Sequence, residues 1–254
     1  MRREVAPFYR SGTDPRTMLT VAFLVGAAVL TLLAVEIGPL YVADRFRDLR
    51  EPTDAERGRL DYLRETAGLD VDRVAIERRG AGEVGGNEPG GDSGSDGVGP
   101  VEVAVRGPPR RRVLFLSEAV LDDVADDVAI GLFAAEAGRV ETYYGEFRAV
   151  AIAAVVGVLA AIVTATVPFE AGFASLVAVG LAAFWVGRRV QYAADDRAAD
   201  AVGADRVADA FERVAAIRGV EPATGDWSTW FEVQPPLGDR IAALRERDES
   251  EAAS

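Results

Sequence analysis

The chain contains no cysteine and no histidine, and its 28 basic residues are all arginine because lysine is missing as well. Without cysteine there is no disulfide framework and no thiol nucleophile; without histidine there is no Ser-His-Asp triad and no zinc site of the usual kind. Basic charge is scarce in relative terms, with 41 acidic residues leaving a net charge of −13 at neutral pH. Phosphate backbones demand a basic face, so nucleic acid is excluded as a partner. An acid-rich, lysine-free composition reads instead as the solvated surface of a halophile's protein.

What the sequence does have is segregated apolarity, 49% hydrophobic residues beside 27% charged. A membrane-spanning helix needs about 20 apolar residues. Three stretches meet or approach that length: Thr20 to Val42 with the single charge Glu36, Ala149 to Val167 with none, and Ala171 to Gly187 with none. Only Pro168, Phe169 and Glu170 separate the last two, so they form an antiparallel hairpin. Soluble core helices of this length carry a polar stripe, which these lack. Arg139 and Arg148 precede the hairpin and Arg188, Arg189 and Arg197 follow it, whereas its tip has no positive charge. The tip is therefore expected outside, with both polar regions in the cytoplasm and the N-terminus outside. Glu36 lies near enough to a helix end to reach the interface. Trp185, Tyr143 and Tyr144 are placed as interfacial anchors.

The remaining segments follow by pattern. Residues 1–19 are an N-terminal polar segment, 20–42 the first span, and 43–79 a helix and a strand. In that third segment Thr53 and Glu56 make a capping box, predicting a helix from about Asp54 to Thr66, and Val71 to Glu77 alternates like a strand. Residues 80–100 are an acidic, Gly-rich stretch too poor in apolar side chains to offset its ordering entropy, and read as a disordered loop. Residues 101–148 hold two strands, Val101 to Val105 and Val113 to Leu116, around a Gly107-Pro-Pro-Arg-Arg-Arg112 turn. A helix capped by Ser117 follows, with Val120, Val124, Val128 and Leu132 on one buried stripe and Asp122, Asp123, Asp126 and Asp127 on the solvated face. After the hairpin of 149–187, residues 188–247 are helical, with a break near Gly203, an aromatic knot of Trp227, Trp230 and Phe231, and a terminal helix from Asp239 to Arg247. The 248–254 tail is expected to fray.

Five short runs, in order, resemble membrane zinc metallopeptidases of the HtpX and CAAX prenyl protease type. They are Ala104-Val-Arg-Gly107, similar to the family's Asn-Ala-x-x-Gly; Val113 to Leu121, similar to its strand entering the catalytic helix; Ala135-Glu-Ala-Gly-Arg139, where the family has His-Glu-x-Gly-His; Gln191-Tyr-Ala-Ala-Asp195, similar to Glu-x-x-x-Asp; and Gln234-Pro-Pro-Leu-Gly-Asp-Arg-Ile-Ala-Ala-Leu244, similar to His-Pro-Pro-x-x-x-Arg-Ile-x-x-Leu. The apolar hairpin lies between the third and fourth, as in the family. The resemblance covers roughly residues 71 to 247 and implies a zincin-like scaffold; together with the three apolar stretches the expectation is a mostly α membrane fold, with three transmembrane helices and a small cytoplasmic α+β zincin-like portion.

The departures fall on the metal. A helical zinc site needs two donors at i and i+4, a neighbouring Glu as general base and a third ligand from elsewhere. The resemblance puts Ala135 and Arg139 at the two His positions and Gln191 at the third, so none of the three degenerate ligand positions offers an ordinary zinc donor. Glu136 remains at the general-base position and Asp195 at an outer partner position. No metal or other cofactor is expected, and Glu136 has no activated water to deprotonate. Arg139 either supplies, beside Glu136 and Asp195, the positive charge that zinc would have brought, or points to solvent or lipid headgroups at the helix end.

Three functions compete: an inactive pseudopeptidase acting as a binding or regulatory module toward membrane proteins or peptides in its cleft; an active metalloendopeptidase using oxygen ligands such as Glu136, Asp195 and Asp196; and a membrane anchor or assembly factor unrelated to proteolysis.

Overall fold

The computed structural model describes residues 49–78, 101–219, 221 and 235–253, together with Phe23, Gly26, Leu30, Thr31 and Ala34. Those five are helical, and the rest of the expected first span lies outside the described residues, as do the 80–100 loop and the knot of Trp227, Trp230 and Phe231.

A four-stranded sheet forms the polar end, from β1 (Leu49–Arg50), β2 (Arg73–Glu77), β3 (Val103–Arg106) and β4 (Val113–Ser117), in the order β1-β2-β4-β3. Every residue of β4 is buried, as a near-continuous apolar run requires when neighbours flank it on both edges. It pairs parallel with β2 through Val74 and Leu114, and antiparallel with β3 through Ala104 and Phe115. Strand β3 closes the sheet on one side.

Helix α1 (Asp54–Thr66) precedes β2, and its capping box forms as expected: the Thr53 amide donates to Glu56 at 2.7 Å while the Glu56 amide donates to the Thr53 hydroxyl at 3.4 Å. Leu60 and Leu63 turn inward from it. The chain after β4 departs from expectation. It makes two helices, α2 (Glu118–Asp122) and α3 (Asp126–Glu141), so the Val120 to Leu132 stripe is not on one helix. Nor does the Ser117 hydroxyl cap α2. It accepts from the Glu102 amide at 3.1 Å, tying the sheet's edge strand to the end of β4. The four aspartates around this break are exposed, and Asp126 pairs with Arg59 of α1 at 2.6 Å.

Helix α3 is the hub. Nine consecutive or near-consecutive residues from Ala129 to Gly138 are buried, an all-round burial that fits a helix with neighbours on every side. Small side chains let those neighbours in. A Cβ at Gly131 would sit 2.6 Å from that of Ala210, and one at Gly138 would run into the carbonyl of Ala194.

Among the described residues, two helices are long and apolar enough to cross a membrane, α4 (Tyr144–Val163) and α5 (Phe169–Val202), and they pack as an antiparallel pair. Hardly any residue of their apolar stretches is buried, which is the wrong surface for water and the right one for lipid. Two sequence boundaries shift here. Helix α4 ends at Val163 rather than Val167, and α5 does not stop at Gly187 but continues without interruption as far as Val202. At about 1.5 Å per residue its 34 residues run some 51 Å, so one rigid rod joins the hairpin to the core. Tyr143 is exposed, but Tyr144 is buried and is no interfacial anchor.

Gly203, at φ 94°, makes the expected break into α6 (Ala204–Ile217). Helix α7 (Leu237–Ala252) then runs past the expected end at Arg247, so most of the 248–254 tail is helical, with Arg247 bonded to Glu251 at 2.7 Å.

Candidate degenerate metal-site cleft

The residues singled out in the sequence come from two helices that cross closely. Ala135, Glu136 and Arg139 lie on α3, and Gln191 and Asp195 lie four residues apart on α5, one turn of the same face. Gly138 makes the meeting possible, because it lets the α3 backbone rest on the α5 backbone at Ala194. Four of the five are buried: Ala135 at 4%, Glu136 at 7%, Gln191 at 0% and Asp195 at 3% exposure.

Burying Glu136 and Asp195 requires partners for their charge. The two acids are satisfied separately. Arg139 donates from its Nη1 to Oε1 of Glu136, one turn back on the same helix. The other Glu136 oxygen accepts from the Val105 amide on β3 at 3.2 Å. Asp195 is gripped bidentately by Arg240 of α7, Nε to Oδ2 at 2.7 Å and Nη2 to Oδ1 at 2.6 Å. Gln191 adds a bond from its amide nitrogen to the same Oδ1 at 3.2 Å. The guanidinium of Arg240 lies over the Phe211 ring, 4.4 Å from its centre, which completes its packing.

Electrostatics hold Arg139 firmly in its charged form. The Glu136 carboxylate raises its pKa most, against the lowering effect of burial, and Asp195 raises it further. The arrangement leaves two buried polar atoms without a hydrogen bond, Nε of Arg139 and Oε1 of Gln191. A cleft of about 190 Å³ opens beside this cluster, lined by Val101, Val103, Ala135, Glu136, Arg139 and Arg240 among others.

The donor set does not fit zinc. Ala135 contributes a methyl group, Arg139 a fixed cation, and the free Gln191 atom is a neutral amide oxygen. The alternative ligand set of oxygens fares no better. Both oxygens of Glu136 and both of Asp195 are engaged by other groups, and Asp196 is exposed and nearest Arg247 at 3.6 Å.

Sequence reasoning had not singled out three of the contributors. Arg240 stands in the Pro-Pro-Leu-Gly-Asp-Arg-Ile run and was readable as part of it, though its partner was not. Gly138 lay inside the quoted helix segment, but nothing in its identity revealed the Ala194 contact. The Val105 amide is backbone, and no side-chain pattern announces it.

No protein-family model matches the chain, and no curated protein does. A likeness in fold is found to the crystal structure of Ste24p from S. mikatae, with a TM-score of 0.62 at 14% identity. The match covers 91% of this chain and 58% of that one, so the chain spans less than two thirds of the length of its structural neighbour. The likeness is one of fold, over the matched part of that structure.

Proposed function

We propose that the protein is a non-catalytic member of the membrane metallopeptidase kind, one that keeps the scaffold and its cleft and acts by binding rather than by cleaving. The likeness to Ste24p, a CAAX prenyl protease of the zinc type, supports a membrane peptidase-like fold. The observation that carries the non-catalytic reading is the Arg139–Glu136 ion pair. A general base needs a free carboxylate oxygen facing an activated water. Here one oxygen takes a guanidinium and the other a backbone amide. Ala135, Arg139 and Gln191 stand at the ligand positions, Glu136 at the base position and Asp195 at the outer partner position. Zinc has no place in this account.

The polar portion lies in the cytoplasm and the hairpin in the cell membrane, with the first span as a third crossing. The partners are the lipid bilayer and membrane proteins or peptides that enter the cleft beside Ala135. The experiment is digestion of casein and of a membrane substrate by the purified chain at high salt, compared with Glu136→Gln. Equal, background-level cleavage by both is expected; cleavage by the native chain that Glu136→Gln abolishes would overturn the reading.

A further inference from the structure

The β3–β4 turn has a use that neither the sheet nor the cleft explains. It runs Gly107-Pro-Pro-Arg-Arg-Arg112, and the Arg111 amide closes it by donating to the Pro108 carbonyl at 3.0 Å. Proline occupies its second position and Arg110 its third, with φ at 71°. A turn with that backbone favours glycine there, since a side chain is disfavoured at positive φ. The chain places an arginine instead. Arg110 and Arg111 are both exposed and make no ion pair with a described residue.

The position of the turn is set by its last arginine. Arg112 pairs with Glu146, in the first turn of α4, at 2.5 Å. Gly172 of α5 packs directly on Ile162 of α4, so equal rises back along the antiparallel pair put Glu146 level with Arg188. The turn therefore sits beside the base of the apolar hairpin, at the level where α5 changes from apolar to charged. Exposed Arg148 and Arg189 ring the same level, and Arg189 lies over the Trp185 ring at 6.0 Å. In a chain of net charge −13 this is a concentration of positive groups at one depth.

We propose that the Pro108–Arg112 turn is a second membrane contact, in which Arg110 and Arg111, flanked by Arg148 and Arg189, dock on an anionic phospholipid headgroup layer. The contact holds the sheet, and with it strand β3 and the cleft, at a fixed height above the bilayer. It rests on the reading of α4 and α5 as membrane-spanning. Headgroup phosphates suit guanidinium forks, and they lie at the depth where the hairpin base enters the interface.

Because the chain has no cysteine, one introduced thiol labels uniquely. The full chain carrying Pro109→Cys, spin-labelled, is reconstituted into phosphatidylcholine bilayers with or without phosphatidylglycerol, each containing a headgroup-chelated nickel lipid as relaxing agent. Contact should be about fivefold stronger with the anionic lipid and should fall back when Arg110→Gln and Arg111→Gln are added or salt is raised to about 1 M. Equal contact in both bilayers, or none in either, overturns the proposal. A separate label at Leu159→Cys, read against lipids nitroxide-labelled in the acyl chain, reports insertion of the hairpin. Its failure would sink the membrane reading itself, whereas its success with an indifferent Pro109 label sinks only the headgroup contact. Hydrogen exchange at residues 107–112 of the unsubstituted chain provides a label-free readout: slower exchange in anionic than in neutral bilayers is expected, and equal rates in both overturn the contact.

Discussion

Two groups of arginine–carboxylate pairs hold the helical part together, and they work under opposite conditions. In the buried group, Arg240 clamps Asp195 and Arg139 engages Glu136, with side-chain exposures of 7% and 4% for the first pair. In the exposed group, Arg245 of α7 faces Asp205, Asp209 and Glu212 of α6, while Arg247 faces Asp200 and Glu251. Water and salt screen the second group, so each pair there contributes little and the set acts as a solvated zipper. In the first group Asp195, Arg240 and Glu136 are buried, and only Arg139 keeps a partly exposed edge. Removing one partner there strands a buried charge, which costs far more than the pair contributed. Two buried acids near one another need positive charge beside them, and arginine supplies it with fixed geometry.

The sharpest way to break the contrast is Arg240→Ala. It leaves Asp195 buried with only the Gln191 amide, and we expect a loss of about 3–5 kcal/mol in unfolding of the full chain in detergent. A loss under about 1 kcal/mol would place Asp195 in effective contact with water. Next in size is Gly138→Ala, which drives a methyl into the Ala194 carbonyl and separates α3 from α5; about 1–3 kcal/mol or more is expected, with Gly145→Ala, which meets open space, as the neutral comparison. Arg139→Ala should destabilise by about 1–3 kcal/mol, because Glu136 retains only the Val105 amide; unchanged stability would refute the charge-replacement idea.

A half-exposed counterpart tests the pH side. The Arg50 guanidinium, opposed by burial and helped by the Thr53 amide, pulls the Glu56 carboxyl down to about 2. A carboxylate with a lowered folded pKa contributes stability that is complete above its unfolded value of about 4.3 and disappears as pH falls through the folded value. Acid titration of wild type against Glu56→Gln should therefore converge between about pH 4 and pH 2, where wild type loses its advantage. Smallest of all, Arg245→Gln should shift stability by about 1 kcal/mol or less, and the shift should shrink as salt rises.

The elements whose signals are local were readable in the sequence. Thr53 and Glu56 announced α1, alternation marked β2, and apolar length marked the hairpin. Boundaries were lost where one physical property ended and another did not. Apolarity stops at Gly187, but the alanines after Arg189 keep α5 helical into the core, so its end cannot be found from hydropathy. Ser117 looked like a cap because its position suits one, yet its hydroxyl is taken by the Glu102 amide. The cluster of Ala135, Glu136, Arg139, Gln191 and Asp195 was legible only through the resemblance. That these five meet, and that Arg240 completes them, depends on a backbone contact at Gly138 that no spacing encodes.

We propose that the Ste24p-like frame carries a guanidinium where a zinc peptidase would hold its metal. It is tested most directly by restoring the missing donors, Ala135→His, Arg139→His and Gln191→Glu together, and measuring zinc per chain by elemental analysis after dialysis. The account predicts no retained zinc in the native chain and one ion per chain in the triple variant. Stoichiometric zinc in the native chain would contradict it.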